Sequence, residues 1–374
     1  MIDVGVNLLW LAPGRVGGSE ESTLASLRAI HERSPSDLRL RLLATRALLD
    51  AHPDLPGRFA VEVLPAAVGA RPLRLAAEST WLAARTRGLA LVHHAGGTLP
   101  PVRRAPALLT LHDLQPLERR ATHGRVKRAY LGVAVPRSIA AARLVVVPSE
   151  FVAETVRARF PAAASKLRVV PHGVAAPTEV GDDVVDAVRA RLRLDGPVVL
   201  YPSITYPHKN HRVLVAAFAE VVRQHPDATL VLTGGPGGEE GRLAEQVAAL
   251  GLGERVRRTG RIPADELAAL YRLATVVAVP SRYEGFGLPA AEAMAHGVPL
   301  VAAAATALPE VVGDAGVLVD PDDVDGWARA ILALLDDAGE RARLADAGRR
   351  RAAGLSWAAN AERLLAAYRD ALGG

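Results

Sequence analysis

Short runs of branched and leucine-type residues alternate along this chain with longer stretches in which apolar residues recur every three or four positions. The first pattern suits buried parallel strands, and the second suits helices that cover a sheet. In the first half, strands are expected over residues 3–10, 38–44, 60–64, 89–93, 107–112, 144–148 and 167–171, with helices over 19–32, 73–86 and 151–159. The second half gives strands over 198–201, 229–233, 256–260, 276–280, 300–304 and 316–319, and helices over 211–225, 239–250, 264–273 and 289–296. Pro171-His-Gly-Val-Ala-Ala-Pro177-Thr178 is punctuated by proline and glycine and leads into an acidic helical stretch, so the domain linker is placed there. The pattern therefore predicts an α/β chain of two Rossmann-like, doubly wound domains, residues 1–175 and 176–355, facing a central cleft. A last helix within 356–374 is expected to pack back toward the first domain.

Composition narrows this picture. At 374 residues with half of them apolar, the chain can bury two ordinary cores. It has no cysteine, which excludes disulfides, thiolate metal sites and a cysteine nucleophile. The net charge of +5 is divided unevenly: residues 1–175 hold 24 Lys and Arg against 13 Asp and Glu, leaving 21 against 27 in the remainder. Only three basic residues are lysines, Lys127, Lys166 and Lys209. No run approaches the ~18–20 apolar residues of a membrane span, and no signal peptide is read at the start, so a cytoplasmic protein is expected.

The densest chemistry lies in Pro280-Ser-Arg-Tyr-Glu284-Gly285-Phe286-Gly287-Leu288-Pro289-Ala-Ala-Glu292, between a predicted strand and a predicted helix. Gly285 and Gly287 let backbone N–H groups come close to a ligand, and the helix N-terminus behind them offers partial positive charge to a diphosphate. Glu292 is expected in the first helical turn, where its carboxylate can accept from paired ribose hydroxyls; the bland alternative is that both glutamates only complement the helix dipole. Lys209, in Tyr206-Pro-His208-Lys209-Asn210, stands past the end of another predicted strand, suited to neutralising a diphosphate leaving group. Gly14-Arg-Val-Gly17-Gly18-Ser19 joins the first strand to the first helix, with Ser19 as a candidate N-cap. His112 ends a predicted strand, and His93-His94 ends another, divided evenly between lining a ligand site and ordinary hydrogen bonding. No third ligand accompanies that pair to suggest zinc. Neither glycine-rich turn has the G-x-G-x-x-G spacing, which removes the best marker of a nicotinamide oxidoreductase.

The Glu284 to Glu292 segment resembles the E-x7-E motif of the retaining glycosyltransferases of family 4, which adopt the GT-B fold. Pro280-Ser281, Gly297-Val-Pro299 and Leu308-Pro-Glu-Val-Val312 match the same family at the usual distances. The resemblance implies that Glu284 contacts the transferred sugar, that the amides of Gly285, Phe286, Gly287 and Leu288 hold sugar and phosphate, and that Glu292 binds the ribose. It implies further that Lys209 is the phosphate-binding lysine, that Gly17 and Gly18 close over the donor phosphates, and that His112 contacts the sugar near the reacting centre. Many members place an arginine a few residues before the lysine; Ser203 and Ile204 stand there in this chain, and His208 is the candidate substitute.

The expected activity is metal-independent transfer of a sugar from a nucleoside diphosphate donor to a glycan or lipid-linked acceptor, as in surface polysaccharide synthesis. GDP-mannose is favoured over UDP-sugars because His112-Asp113-Leu and Pro-His-Lys-Asn look like the bacterial mannosyltransferase branch. A non-catalytic nucleotide-sugar or polyanion-binding protein is the rival reading. The basic cluster Arg119, Arg120, Arg125, Lys127 and Arg128, with Arg103-Arg104 upstream, is weighed equally as a solvated face and as a contact for anionic lipid headgroups. Nucleic acid is not expected, since few aromatics accompany these charges.

Overall fold

The computed structural model describes residues 1–13, 18–67, 71–118 and 125–373. The chain divides into two compact units: unit 1 is Met1–Gly173 together with Trp357–Gly374, and unit 2 is Val174–Ser356.

Unit 1 is built on a parallel sheet of seven strands, β1 (Ile2–Asn7), β2 (Leu38–Thr45), β3 (Ala60–Leu64), β4 (Leu91–His94), β5 (Ala107–Thr110), β6 (Leu144–Val147) and β7 (Leu167–Val169). Their spatial order is β3-β2-β1-β4-β5-β6-β7, so the winding reverses between β1 and β4. The central strands are buried on both faces, which is why they read as uninterrupted apolar runs: all four residues of β6 are buried. One face is covered by the helices Gly18–Arg33 and Trp357–Leu372, whose Leu24, Leu27, Leu364, Leu365 and Tyr368 share a core with Val4, Val6 and Leu42. The opposite face packs Leu131, Val135 and Ile139 of the Arg125–Ala141 helix against Leu109, Val145 and Val147.

Unit 2 repeats the plan with six parallel strands, β8 (Val198–Pro202), β9 (Thr229–Thr233), β10 (Val256–Gly260), β11 (Val276–Val279), β12 (Leu300–Ala303) and β13 (Val317–Val319). Their order is β10-β9-β8-β11-β12-β13, with the reversal between β8 and β11. A single core contains Tyr201, Phe218, Met294 and Trp327. Among the described residues, no helix is long and apolar enough to cross a membrane.

Three local expectations are corrected. Ser19 is not an N-cap but lies inside the Gly18–Arg33 helix, where its carbonyl accepts from the hydroxyls of Ser22 and Thr23. The helix expected over 73–86 is broken by a π-helical turn, Glu78–Leu82, at which the Glu78 carboxylate is buried and accepts from Asn7 Nδ2 at 3.2 Å. The strand expected over 107–112 ends at Thr110, which leaves His112 in the loop beyond β5.

Candidate functional site

In an open α/β sheet, the carboxyl ends of the strands that flank the winding reversal diverge and leave a crevice for a ligand. In unit 2 those strands are β8 and β11, and the two segments singled out in the sequence are the loops that leave them. Lys209 closes a short 3-10 turn, Pro207–Lys209, after β8; Glu284 lies five residues past the end of β11. Lys209 Nζ donates to Glu284 Oε1 at 2.7 Å, with side-chain exposures of 17% and 10%, so the ion pair is largely shielded from water.

Backbone and buried side chains lock the two loops together. Tyr201, on β8, donates its hydroxyl to the Lys209 carbonyl at 3.0 Å and shares a 2.9 Å hydrogen bond with Ser281. Burial and the Glu284 charge push its phenol far above the ordinary range, so it keeps its proton. The Arg282 amide donates to the His208 carbonyl at 2.8 Å. Asn210, in the left-handed region at φ 59°, turns the chain into the His211–Gln224 helix and donates from Nδ2 to the Pro321 carbonyl. His208 stacks against Tyr206 with ring centroids 5.8 Å apart. On the far side of β8, Gly234 and Gly237 bring a third loop against the first: a Cβ on either would stand 2.6 or 2.5 Å from the backbone of Ser203 or Thr205.

Glu284 is fixed from a third direction. Its amide donates to Thr306 Oγ1 at 2.9 Å, and Thr306 holds φ 54° to reach it. A β-branched residue is strained in that region, so the surrounding packing must hold it there. Gly287 caps the following helix at φ 100°, and a Cβ there would stand 2.6 Å from Leu308, so only glycine fits. Phe286 is buried, and Leu288 begins the helix Leu288–Ala295. Glu292 is therefore in the second turn, a correction of the first-turn expectation: the helix opens at Leu288, one residue before the expected start at Pro289. Its Oε2 accepts from the hydroxyl of Tyr271 at 2.9 Å. Burial and the Glu292 carboxylate keep the Tyr271 phenol protonated, and its ring stacks on His296 at 4.4 Å.

Tyr271 and Thr306 were missed by the sequence reading. Neither belongs to the motif segments. The available signals were weak: a tyrosine in an apolar helical stripe, and a threonine just before Leu308-Pro-Glu-Val-Val312.

Unit 1 carries His112. Its Nε2 lies 2.9 Å from the Ala95 carbonyl, which can only accept, so Nε2 holds the proton and Nδ1 is a bare acceptor. Among the described residues Nδ1 has no hydrogen-bond partner, and burial lowers the ring's proton affinity, keeping it neutral. His112, His93 and His172 line one small cavity with Ser22, Thr23 and Asn360. Of the His93-His94 pair, His93 sits between the Tyr368 hydroxyl at 2.9 Å and Thr110 Oγ1 at 2.6 Å, and His94 Nδ1 meets Asn7 Nδ2 at 3.3 Å. Both rings are buried in internal hydrogen bonds. Gly18 opens its helix; Gly17, Arg119 and Arg120 lie outside the described residues, as do the side chains of Arg125 and Lys127.

Residues 186–351 match the model for glycosyl transferases group 1, and residues 16–176 match the model for glycosyltransferase family 4. A D-inositol 3-phosphate glycosyltransferase 1 from Catenulispora acidiphila is 35% identical over 303 residues, which cover 75% of this chain and 70% of the relative. The chain belongs to the family 4 glycosyltransferases. A second relative, the D-inositol 3-phosphate glycosyltransferase of Salinispora tropica, is 37% identical over 316 residues, or 80% of this chain. The match spans 62% of that protein's own length. The crystal structure of Anabaena HepE in complex with UDP and glucose superposes with a TM-score of 0.77 at 21% identity, covering 99% of this chain and 100% of that one. The fold of this family 4 chain is thus GT-B, with two parallel-sheet Rossmann-like domains.

Proposed function

We propose that the chain moves a sugar from a nucleoside diphosphate donor to a hydroxyl acceptor, with retention at the anomeric carbon. The observation that carries this reading is the shielded Lys209 to Glu284 pair at the winding reversal of unit 2.

In such a transfer the bond from the anomeric carbon to the diphosphate oxygen breaks and its electron pair leaves with the diphosphate. Charge accumulates on that oxygen, and a fixed cation placed beforehand lowers the barrier because nothing must reorganise. Lys209 has three ammonium protons and gives one to Glu284, leaving two for phosphate oxygens. The amides of Gly285, Phe286, Gly287 and Leu288, at the start of the Leu288–Ala295 helix, add partial positive charge. The acceptor oxygen bonds to the anomeric carbon on the face being vacated, and its proton passes to the departing phosphate oxygen, so no side chain is assigned as base. Glu284 accepts from a hydroxyl of the transferred sugar. Glu292, steadied by Tyr271, accepts from the ribose. The family resemblance assigns His112 to a sugar hydroxyl and Gly17 and Gly18 to the donor phosphates, with His208 as the candidate substitute for the family's arginine there. Since Lys209 supplies the positive charge, the reaction is proposed to need no metal.

GDP-mannose is the donor favoured by the motif resemblance. The UDP and glucose bound by Anabaena HepE support a UDP-hexose as the second reading. The acceptor is a glycan or lipid-linked hydroxyl; the names of the two relatives support a phosphorylated cyclitol instead.

The test is incubation with GDP-mannose, UDP-glucose and UDP-N-acetylglucosamine without acceptor, scoring release of nucleoside diphosphate. One donor should be hydrolysed slowly, with EDTA leaving the rate unchanged and Lys209→Ala lowering it by about a hundredfold or more. Release at the wild-type rate from a folded Lys209→Ala chain would overturn the assignment.

A further inference from the structure

Unit 1 gathers positive charge at the sheet edge opposite His112. Arg104 precedes β5 by three residues, while Arg143 and Lys166 immediately precede β6 and β7. These strands are adjacent and parallel, so the three cations stand along their amino ends. Arg103, Arg104 and Arg143 line an open pocket of about 530 Å³ whose floor is Ala105 to Ala107 and Ala141.

Arg103, Lys166 and the neighbouring Arg137 donate to backbone carbonyls. Arg103 donates to Pro100 at 2.9 Å, and Arg137 to Pro101 at 3.2 Å. Lys166 donates to Ala140 and Ala142 at 2.8 and 3.1 Å, at the negative end of the Arg125–Ala141 helix dipole. Among the described residues, no carboxylate forms an ion pair with Arg103, Arg104, Arg137, Arg143 or Lys166. The contrast with their surroundings is sharp: Arg168, two residues past Lys166, meets Asp370 at 2.8 Å, and Arg369 meets Asp37 at 2.7 Å. Glu78 lines a small cavity with Arg103 and Arg104, but its carboxylate accepts from Asn7 Nδ2. Burial and repulsion by Arg137 lower the Arg103 guanidinium below its ordinary value.

Like charges gathered around a concavity, with no carboxylate paired to them among the described residues, repel one another, and an anion that bridges them relieves the repulsion. Guanidinium forks match the oxygen spacing of phosphate and bind it bidentately, and several together select a group carrying more than one negative charge. We propose that the pocket of Arg103, Arg104 and Arg143 binds a multiply charged phosphate group, using residues that take no part in the nucleotide-sugar site. A soluble diphosphate and the phosphomonoester headgroup of a lipid share this chemistry.

The experiment titrates inorganic pyrophosphate into the full chain carrying Lys209→Ala, which removes the nucleotide-site cation. One equivalent should bind, and Arg104→Ser with Arg143→Ser should weaken it by about tenfold or more. In parallel, wild type and the Arg104→Ser/Arg143→Ser chain are sedimented with vesicles of phosphatidylcholine containing about 20 mol % phosphatidic acid, and with phosphatidylcholine alone. Arginine-dependent vesicle binding without pyrophosphate binding assigns the phosphate to a lipid; the converse assigns it to a soluble ligand. If neither pyrophosphate nor vesicles bind in an arginine-dependent way, the proposal falls. Should the Lys209→Ala chain not fold, the wild type serves instead: two pyrophosphate equivalents should drop to one in the Arg104→Ser/Arg143→Ser chain, and equal stoichiometry in the two would overturn the site. Both substituted side chains are exposed, so the melting temperature without pyrophosphate should match wild type.

Discussion

At the scale of single residues, the site is made of side chains whose partners fix their direction. Lys209 and Glu284 hold each other, Tyr201 holds the lysine's backbone, and Tyr271 holds Glu292. Tyr271→Phe removes one hydroxyl from a packed ring and leaves Glu292 short of a donor. A hydrogen bond to a charged group is worth about 1.5–3 kcal/mol, so the donor KM should rise by about tenfold or more with kcat nearly unchanged. Steady-state kinetics at saturating acceptor would show it, and an unchanged donor KM would mean that Glu292 is not the ribose ligand. The residues legible in the sequence were those packed into contiguous strand-to-helix turns, where glycine, proline and charge fall at telling intervals. Tyr271 and Thr306 were not legible, because each meets its partner 21 or 22 residues along the chain, through packing that no local pattern encodes.

At the scale of elements, strands were read well because a parallel strand buried on both faces leaves an unbroken apolar run, as in β9 and β11. Strand ends were read less well. Leu111 continues the apolar run of β5 and is buried, yet it lies past the last ladder pair, and so His112 was assigned to the strand. The π turn at Glu78 has no sequence signature at all; it coincides with a tertiary contact, the buried Glu78 carboxylate against Asn7. The Trp357–Leu372 helix shows what one element contributes. Leu364, Leu365 and Tyr368 are buried in the core of unit 1, and Asn360 joins Ser26 and the Pro171 carbonyl at 2.7 Å each. Burial of each large apolar side chain contributes about 1.5–3 kcal/mol, so the helix accounts for much of the stability an ordinary domain has. Ending the chain at Ser356 should abolish the unfolding transition of unit 1 in calorimetry while unit 2 melts as before. Tyr368→Phe, which takes only the hydroxyl from His93, should cost about 1 kcal/mol.

At the scale of the whole molecule, acid should act unequally on the two units. Burial depresses His93, His94 and His172 of unit 1 and His211 of unit 2 to about 3. Unfolded histidines take up protons as pH falls through about 6.5, whereas these four stay neutral in the folded chain. The unfolded state then binds more protons, and stability is lost as pH falls, by roughly 1.4 kcal/mol per pH unit for each such histidine. Burial lowers His112 of unit 1 and His296 of unit 2 as well, and the raised carboxyl of Glu78 offsets part of the loss in unit 1. With four histidines against two, the melting temperature of unit 1 should still fall more steeply between pH 6 and 5, above the range in which paired carboxylates such as Asp3 and Asp54 begin to titrate. Calorimetry across that range checks it; a steeper fall in unit 2 would contradict the burial argument.

The division of the chain also orders events during synthesis. Unit 2 is one continuous stretch, and every strand of its sheet has left the ribosome once Val319 has emerged. Unit 1 is completed only after unit 2 has been made, because Leu364, Leu365 and Tyr368, which cover part of one face of its sheet, follow unit 2 in the chain. Until then the part of that face left uncovered by the Gly18–Arg33 helix stays open, and a chaperone that recognises apolar surface has the whole of unit 2's translation in which to bind it.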